Sequence, residues 1–456
     1  MIQNMTSGSP VKLIIQFTIP LLIGNVFQQL YSISDIIIVG RLLGVNSLAA
    51  VGATGPLFFL LLAVTIGFTS GLTVITAQRF GANDFNAMRR SAATATVIST
   101  AFTLIFSLIL IAFLHPILRL MNVPEEIFGE ALAFISIIAY GLVMIVFYNL
   151  LSGIIRALGD SRTPLYFLIF ASIINIGLNL FLIYVCGMGV EGSALGTVLA
   201  LSISVICCYF YIIKKFPILH LKKSDWKLDW NFSKEHLALA IPMAVQFSII
   251  ALSSMVIQSV CNSFGPLTIA AFTSAMRIEQ LAAQPMISFG VAMATYTAQN
   301  YGAGLIGRVR RGVFNCSMIS LGVSILMAII IFTAGENLVE IFTKERNEIV
   351  IDTAKMYLNI SVLFYFFLGQ IFVYRNALQG LGKPVIPLIS SIVELGMRSF
   401  AAIVLAYHFG FIGVCYASPI AWIGGAAVVS VGYYIVIRRI GRKYLFCHHQ
   451  VELPWH

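Results

Sequence analysis

One carboxylate sets the chemistry open to this sequence. Asp35 lies near the end of the apolar stretch LIIQFTIPLLIGNVFQQLYSISDIIIV, residues 13–39. On a helix, the positions three and four away hold Tyr31, Ser32, Ile38 and Val39, so no base of the same helix neutralises it. The same spacing stacks Tyr31 one turn and Gln28 two turns earlier, a polar stripe on an apolar helix. Taking a carboxylate out of water favours its neutral form, which is the condition for a group that trades a proton. The alternative is an acid paired with an arginine of another helix, or one that caps a helix end.

Four more ionisable residues fall at depth in apolar runs: Arg277, Glu279, Glu394 and Arg398. Glu394 and Arg398 stand four apart, share a helix face and are expected to pair with each other or with close neighbours, in a mainly structural role. Arg277 and Glu279 are two apart, face different directions and are expected to reach water near a helix end. Asn175 and Asn179 are one turn apart. They either offer amides to Asp35, if the fifth helix lies against the first, or bond helix to helix. Tyr140, Asn149 and Thr197 are further candidates for the same polar cluster. Pro20 and Pro242 interrupt the first helix of each half, each removing one backbone bond and permitting a kink.

The elements that hold these residues follow from composition. Hydrophobic residues make up 59% of the chain and charged residues 10%, with mean hydropathy +0.94. Soluble domains carry roughly 25% charged residues. The apolar runs are long and continuous rather than alternating, so membrane-crossing helices are expected. Twelve candidates follow, near 11–40, 47–76, 92–115, 131–157, 163–186 and 192–214, then 236–263, 268–298, 314–334, 353–376, 386–408 and 412–437. With a cytoplasmic N-terminus, most basic residues sort to that side, among them Arg79, Arg89, Arg90, Arg308 and Arg375. Arg41, Arg119, Lys344, Arg346 and Lys355 fall on the other. The net charge of +10 therefore marks cytoplasmic loops, and no nucleic acid partner is expected. The seven cysteines show no paired spacing, so no disulfide framework is expected. The first apolar run is too long for a signal peptide and reads as a retained helix.

An internal repeat organises the chain. Ala77–Ser91 (AQRFGANDFNAMRRS) is answered by Ala298–Gly312 (AQNYGAGLIGRVRRG), and Leu43–Val51 by Phe264–Phe272, both at a shift of 221. Arg156–Leu165 (RALGDSRTPL) is answered by Gln379–Leu388 at a shift of 223. Six helices separate the copies, so the halves are parallel repeats about an axis along the membrane normal. The expected division is an N-lobe over 1–214, a connector over 215–235, a C-lobe over 236–440 and a cytoplasmic tail over 441–456. The connector carries Trp226 and Trp230 and is either an amphipathic segment at the interface or a plain tether. The tail holds Cys447, His448 and His449, read as a frayed end rather than a metal site. GMGVEG, Gly187 to Gly192, matches a dinucleotide fingerprint but follows no strand. GFTSG, Gly67 to Gly71, has helix-packing spacing. With no nucleotide module, cofactor site, metal site or clustered catalytic groups, the expectation is a carrier driven by an ion gradient and not an enzyme.

IPLLIGNVFQQLYSISDIIIVGRLLGVNSLAAVG, its degraded copy and the GDSRTP loop resemble the multidrug and toxic compound extrusion (MATE) family, over essentially the whole chain. The resemblance implies an all-α membrane protein of two pseudo-symmetric six-helix bundles around a central cavity, in an outward-facing V. It implies antiport of small organic, mostly cationic, compounds against protons or sodium across the plasma (inner) membrane, where the charge asymmetry and the even helix count put both termini on the cytoplasmic side. It carries Asp35 over as the coupling acid of the first helix and sets Asn175, Asn179, Tyr140 and Thr197 around an N-lobe polar cavity. Position 179 is Asn where some proton-coupled relatives have a second acid. The seventh helix offers Gln246 and no carboxylate, which disfavours a C-lobe sodium site and favours protons at Asp35. Sodium-coupled antiport on the same fold and a flippase for a lipid-linked sugar are the alternatives. The flippase would line its groove with several cations, of which only Arg277 and Arg398 are at hand.

Overall fold

The computed structural model describes residues 4–341 and 347–449, with side chains as far as residue 442. Lys344, Arg346 and residues 450–456 lie outside the described residues, and Cys447, His448 and His449 lie beyond the described side chains. No strand occurs among the described residues. The first half runs α1 (Pro10–Leu42), α2 (Val45–Gly81), α3 (Phe85–Leu120), α4 (Glu125–Tyr140), α5 (Leu142–Ala157), α6 (Arg162–Leu180) and α7 (Val190–Lys215). The second runs α8 (Trp230–Cys261), α9 (Pro266–Gly302), α10 (Ile306–Glu340), α11 (Glu348–Val362), α12 (Tyr365–Gly380), α13 (Val385–Phe409) and α14 (Phe411–His449).

These fourteen helices make twelve membrane spans. In each half the fourth span is broken: α4 and α5 meet at 46°, α11 and α12 at 51°. A continuous helix was expected at both places. At each break the chain tightens into bonds three residues back, from Met144 N to Gly141 O and from Phe364 N to Ser361 O, both 3.0 Å. Gly141 also makes room for α7, since a Cβ there would lie 2.2 Å from Val198 Cγ2. α9 is less apolar, with Arg277 and Glu279 within it, yet it answers α2 in the repeat and has the same length of 37 residues.

The repeat is visible in the backbone. Left-handed residues recur at the two shifts: Gly44 with Gly265, Asn83 with Gly304, Gly159 with Gly382 and Gly187 with Gly410. Gly44 and Gly265 have φ of 89° and 88°, a conformation that any Cβ would strain. Both halves therefore turn between their first and second spans in the same way. After Gly159, Asp160 caps α6 by accepting the amides of Arg162 and Thr163, both at 3.0 Å.

The spans are apolar all round, as lipid requires. α3 buries Leu110, Leu114 and Leu118 at every fourth position, yet Leu104, Ile105, Leu108 and Phe113 remain more than half exposed. Such an exposed apolar stripe has no place in water and fits contact with acyl chains.

The chain divides into two compact units. One holds Ile19–Ser248, the other Asn4–Thr18 and Ile249 onward. Thus α1 starts in one unit and continues in the other, and α8 does the reverse. Pro20 lies just past the α1 boundary, inside a helix that runs unbroken. In the first unit, α2 and the start of α8 touch backbone to backbone. A Cβ on Gly67 would lie 2.6 Å from Met243 O, and one on Gly71 2.5 Å from Ala240 Cα. The GFTSG spacing is thus a helix-packing device. In the second unit, the segment before α1 is held by its backbone. The Met5 amide donates to Gln299 Oε1 at 2.9 Å, while Asn300 Nδ2 and Arg308 Nη2 donate to the Met5 carbonyl at 3.1 and 3.2 Å.

Candidate functional site

A connected polar group at membrane depth lies in the first unit, where α1, α6 and α7 meet. α1 contributes Tyr31 and Asp35, α6 contributes Asn175 and Asn179, and α7 contributes Ser193 and Thr197. Asn179 Nδ2 donates to Asp35 Oδ1 at 2.5 Å, and Ser193 Oγ donates to the same oxygen at 3.1 Å. Asn179 Nδ2 also donates to Asn175 Oδ1 at 3.0 Å. Asn175 Nδ2 donates to Thr197 Oγ1 at 3.1 Å, and the Tyr31 hydroxyl closes the chain on Thr197 at 3.2 Å. Hydrogen bonds thus link the only acid of α1 to the tyrosine one turn before it, through side chains of two other helices.

Burial sharpens the chemistry. Asn175, Asn179 and Ser193 are essentially inaccessible, whereas Asp35 and Tyr31 are half-buried. Among the described residues, no base pairs with Asp35. Two neutral donors hold the carboxylate, an arrangement that supports a charge without cancelling it. The Asn179 Oδ1 atom is buried with no hydrogen-bond partner. Such an orphan acceptor is costly when buried. It is open to a donor, and a carboxylic acid is one where a carboxylate is not.

Two members of the site went unread in the sequence. Ser193 is the second donor to Asp35. Gly196 makes room for the first: a Cβ there would lie 2.0 Å from Asn179 Oδ1. The signal was present as Ser193, Gly196 and Thr197, spaced three and four apart on one face of α7. Small residues at that spacing are equally the mark of plain helix packing, so it did not stand out.

Other candidates fall elsewhere. Gln28 is exposed, and among the described residues no side-chain bond joins it to the network. Asn149 donates back to the Ile145 carbonyl of its own helix at 3.0 Å. Tyr140 is 67% exposed at the α4–α5 break, away from these bonds. Gln246 is fully buried in α8. On α9, Arg277 is exposed, but Glu279 does not reach water as expected. It is buried with Tyr357, Ser361 and Arg398 around it.

Of the two expected arrangements, Glu394 and Arg398 bond close neighbours and not each other. Glu394 is bridged by Arg375 of α12 and accepts the Ser390 hydroxyl at 3.0 Å, while Arg398 Nη1 donates to Ser253 Oγ at 2.9 Å. A four-residue spacing permits a pair but does not compel it. A buried guanidinium from another helix, Arg375 within α12, meets the carboxylate instead. α14 leaves room for this, since a Cβ on Gly425 would lie 2.6 Å from Glu394 Oε1.

Two six-helix bundles, broken alike at the fourth span and carrying a polar centre at membrane depth, define a polytopic membrane transporter. The pattern of the MatE family matches residues 20–181 and 242–426, and the chain belongs to that family. It is 28% identical over 432 residues to the probable multidrug resistance protein YoeA of Bacillus subtilis (strain 168), covering 92% of each chain. It is 28% identical over 395 residues to the probable multidrug resistance protein YpnP of the same organism, covering 86% of this chain and 87% of that one. Its fold matches a solved outward-facing conformation of a multidrug resistance MATE family transporter of the MOP superfamily. The TM-score there is 0.88 at 23% identity, over 97% of this chain and 98% of that one.

Proposed function

We propose that the protein is a multidrug efflux transporter of the plasma membrane, with both termini cytoplasmic, that exchanges small organic, mostly cationic, compounds for protons at Asp35. The observation that carries this reading is an acid at membrane depth held by Asn179 and Ser193 with no base beside it. The names of the similar Bacillus subtilis proteins support export of many compounds. In the ionised state Asp35 accepts from two donors and attracts a cation. In the protonated state it loses that charge and gains an O–H. The buried Asn179 carbonyl oxygen is then an idle acceptor in the network. Proton and substrate thus compete for one group, and each turnover rearranges bonds that run through α6 and α7 to Tyr31.

The coupling ion favours the proton over sodium on chemical grounds. Hard cations want several oxygen ligands, whereas Asp35 Oδ1 is occupied by two donors. The deciding experiment uses purified protein in liposomes. Adding a cationic substrate on one side should move protons the opposite way, with or without sodium. Substrate movement that requires sodium and leaves pH unchanged would overturn the proton assignment.

A further inference from the structure

The segment from Phe216 to His236, the link between α7 and α8 together with the first turns of α8, sorts its charges in a way that the transport reading does not use. It contains three acids, and each meets an arginine of the first unit. Arg89 lies 3.4 Å from Asp225, Arg90 3.1 Å from Asp229 and Arg79 3.4 Å from Glu235. The Arg89–Asp225 pair is well buried, with side chains 13% and 10% exposed, while the other two pairs are half-exposed. Exposed pairs contribute little, so Arg89–Asp225 is the main ionic anchor. Phe232 packs beneath Arg90 at 5.2 Å and Arg79 at 5.9 Å. His236 is fully buried and bonded to Ser91 at 2.8 Å.

The lysines of the segment are treated differently. Lys222, Lys223, Lys227 and Lys234 are all exposed, and none has an acidic partner among the described residues. Between them stand Trp226, Leu228 and Trp230, exposed by 46%, 59% and 68%. Lys214 and Lys215, at the end of α7, are exposed as well. The segment joins two membrane-crossing helices, so it lies at the membrane surface. Tryptophan next to lysine at that level suits a lipid headgroup, with the ring in the interface and the ammonium on an anion.

We propose that this segment is a binding surface for anionic phospholipid headgroups. Arginines of α2 and α3 take up its acids, Lys222, Lys223, Lys227 and Lys234 supply the charge, and Trp226, Leu228 and Trp230 supply the apolar contact. With its acids neutralised internally, the exposed face is cationic despite the mixed sequence. Lysines close to a charged bilayer add attraction that salt screens.

The test uses the full-length protein in phosphatidylcholine nanodiscs. These carry a minor fraction of either dibrominated phosphatidylglycerol or dibrominated phosphatidylcholine. The signal of Trp226 and Trp230 is the fluorescence difference between the protein and its Trp226→Phe/Trp230→Phe variant. Brominated phosphatidylglycerol should quench that signal about twofold more strongly than brominated phosphatidylcholine, and added salt should reduce the difference. Changing Lys222, Lys223, Lys227 and Lys234 together to Gln should abolish the preference and leave quenching by phosphatidylcholine unchanged. Equal quenching by the two lipids, no quenching by either, or a preference that survives the four substitutions would overturn the proposal.

Discussion

Gly196→Ala is the sharpest structural test of the polar network, because it removes no charge and no hydrogen-bonding group. The added Cβ would sit 2.0 Å from Asn179 Oδ1 and 3.2 Å from its Cγ. The amide must retreat by about 1 Å or more to restore ordinary contact, which stretches a bond now at 2.5 Å to the edge of hydrogen bonding. A hydrogen bond to a charged group contributes about 1.5–3 kcal/mol and a neutral one about 0.5–1.5 kcal/mol. Losing the Asn179 bonds to Asp35 and Asn175 should therefore cost the network about 2–4.5 kcal/mol. The assay is efflux of a cationic dye from inverted vesicles, normalised to folded protein by fluorescence-detected chromatography. Gly177→Ala is the control. It lies on α6 between the two asparagines, and a Cβ there meets nothing within 4 Å. It should be neutral or stabilising by about 0.5–1 kcal/mol, as for alanine over glycine in a helix. Gly196→Ala should cut transport per folded molecule at least about tenfold, the equivalent of 1.4 kcal/mol. If it transports like Gly177→Ala, the Asn179–Asp35 bond does not serve transport.

Further outcomes follow from the same geometry. Asn179→Ala should weaken transport less than Asp35→Asn, because Ser193 still donates to Asp35, as paired efflux rates would show. Arg375→Leu strands Glu394 as a buried charge, which costs about 3–5 kcal/mol, so folded yield should fall. Arg375→Leu/Glu394→Leu should recover much of that yield, and a double variant no better than the single one would refute the pairing. Gly71→Val should abolish folding, since even a Cβ there meets the α8 backbone at 2.5 Å, with extractable monodisperse protein as the measure.

The sequence made some of this architecture legible because local chemistry repeats where backbone geometry repeats. The copies LGVNSLAAV and FGPLTIAAF follow directly from Arg41–Leu42 and Asn262–Ser263 through turns that both need a left-handed glycine, Gly44 and Gly265. The Tyr31–Asp35 stripe was legible for a similar reason, since one helix fixes the spacing of its own side chains. Contacts between helices are not written that way. Nothing local distinguishes Arg375 from a loop arginine, and only tertiary packing brings it to Glu394 while Arg398 turns to Ser253. Ser193 and Gly196 were hidden because small residues on a membrane helix ordinarily mean close packing. The α11–α12 break falls at Leu363 and Phe364, with no glycine or proline to announce it.

The most direct measurement of the central claim is proton flux in proteoliposomes that contain the protein or its Asp35→Asn variant, read with a trapped pH dye as a cationic substrate is added. The protein should move protons against substrate whether or not sodium is present. The variant should insert normally, still bind substrate weakly and move no protons. An Asp35→Asn variant that couples substrate to protons at the normal rate, with the normal dependence on pH, would contradict the account.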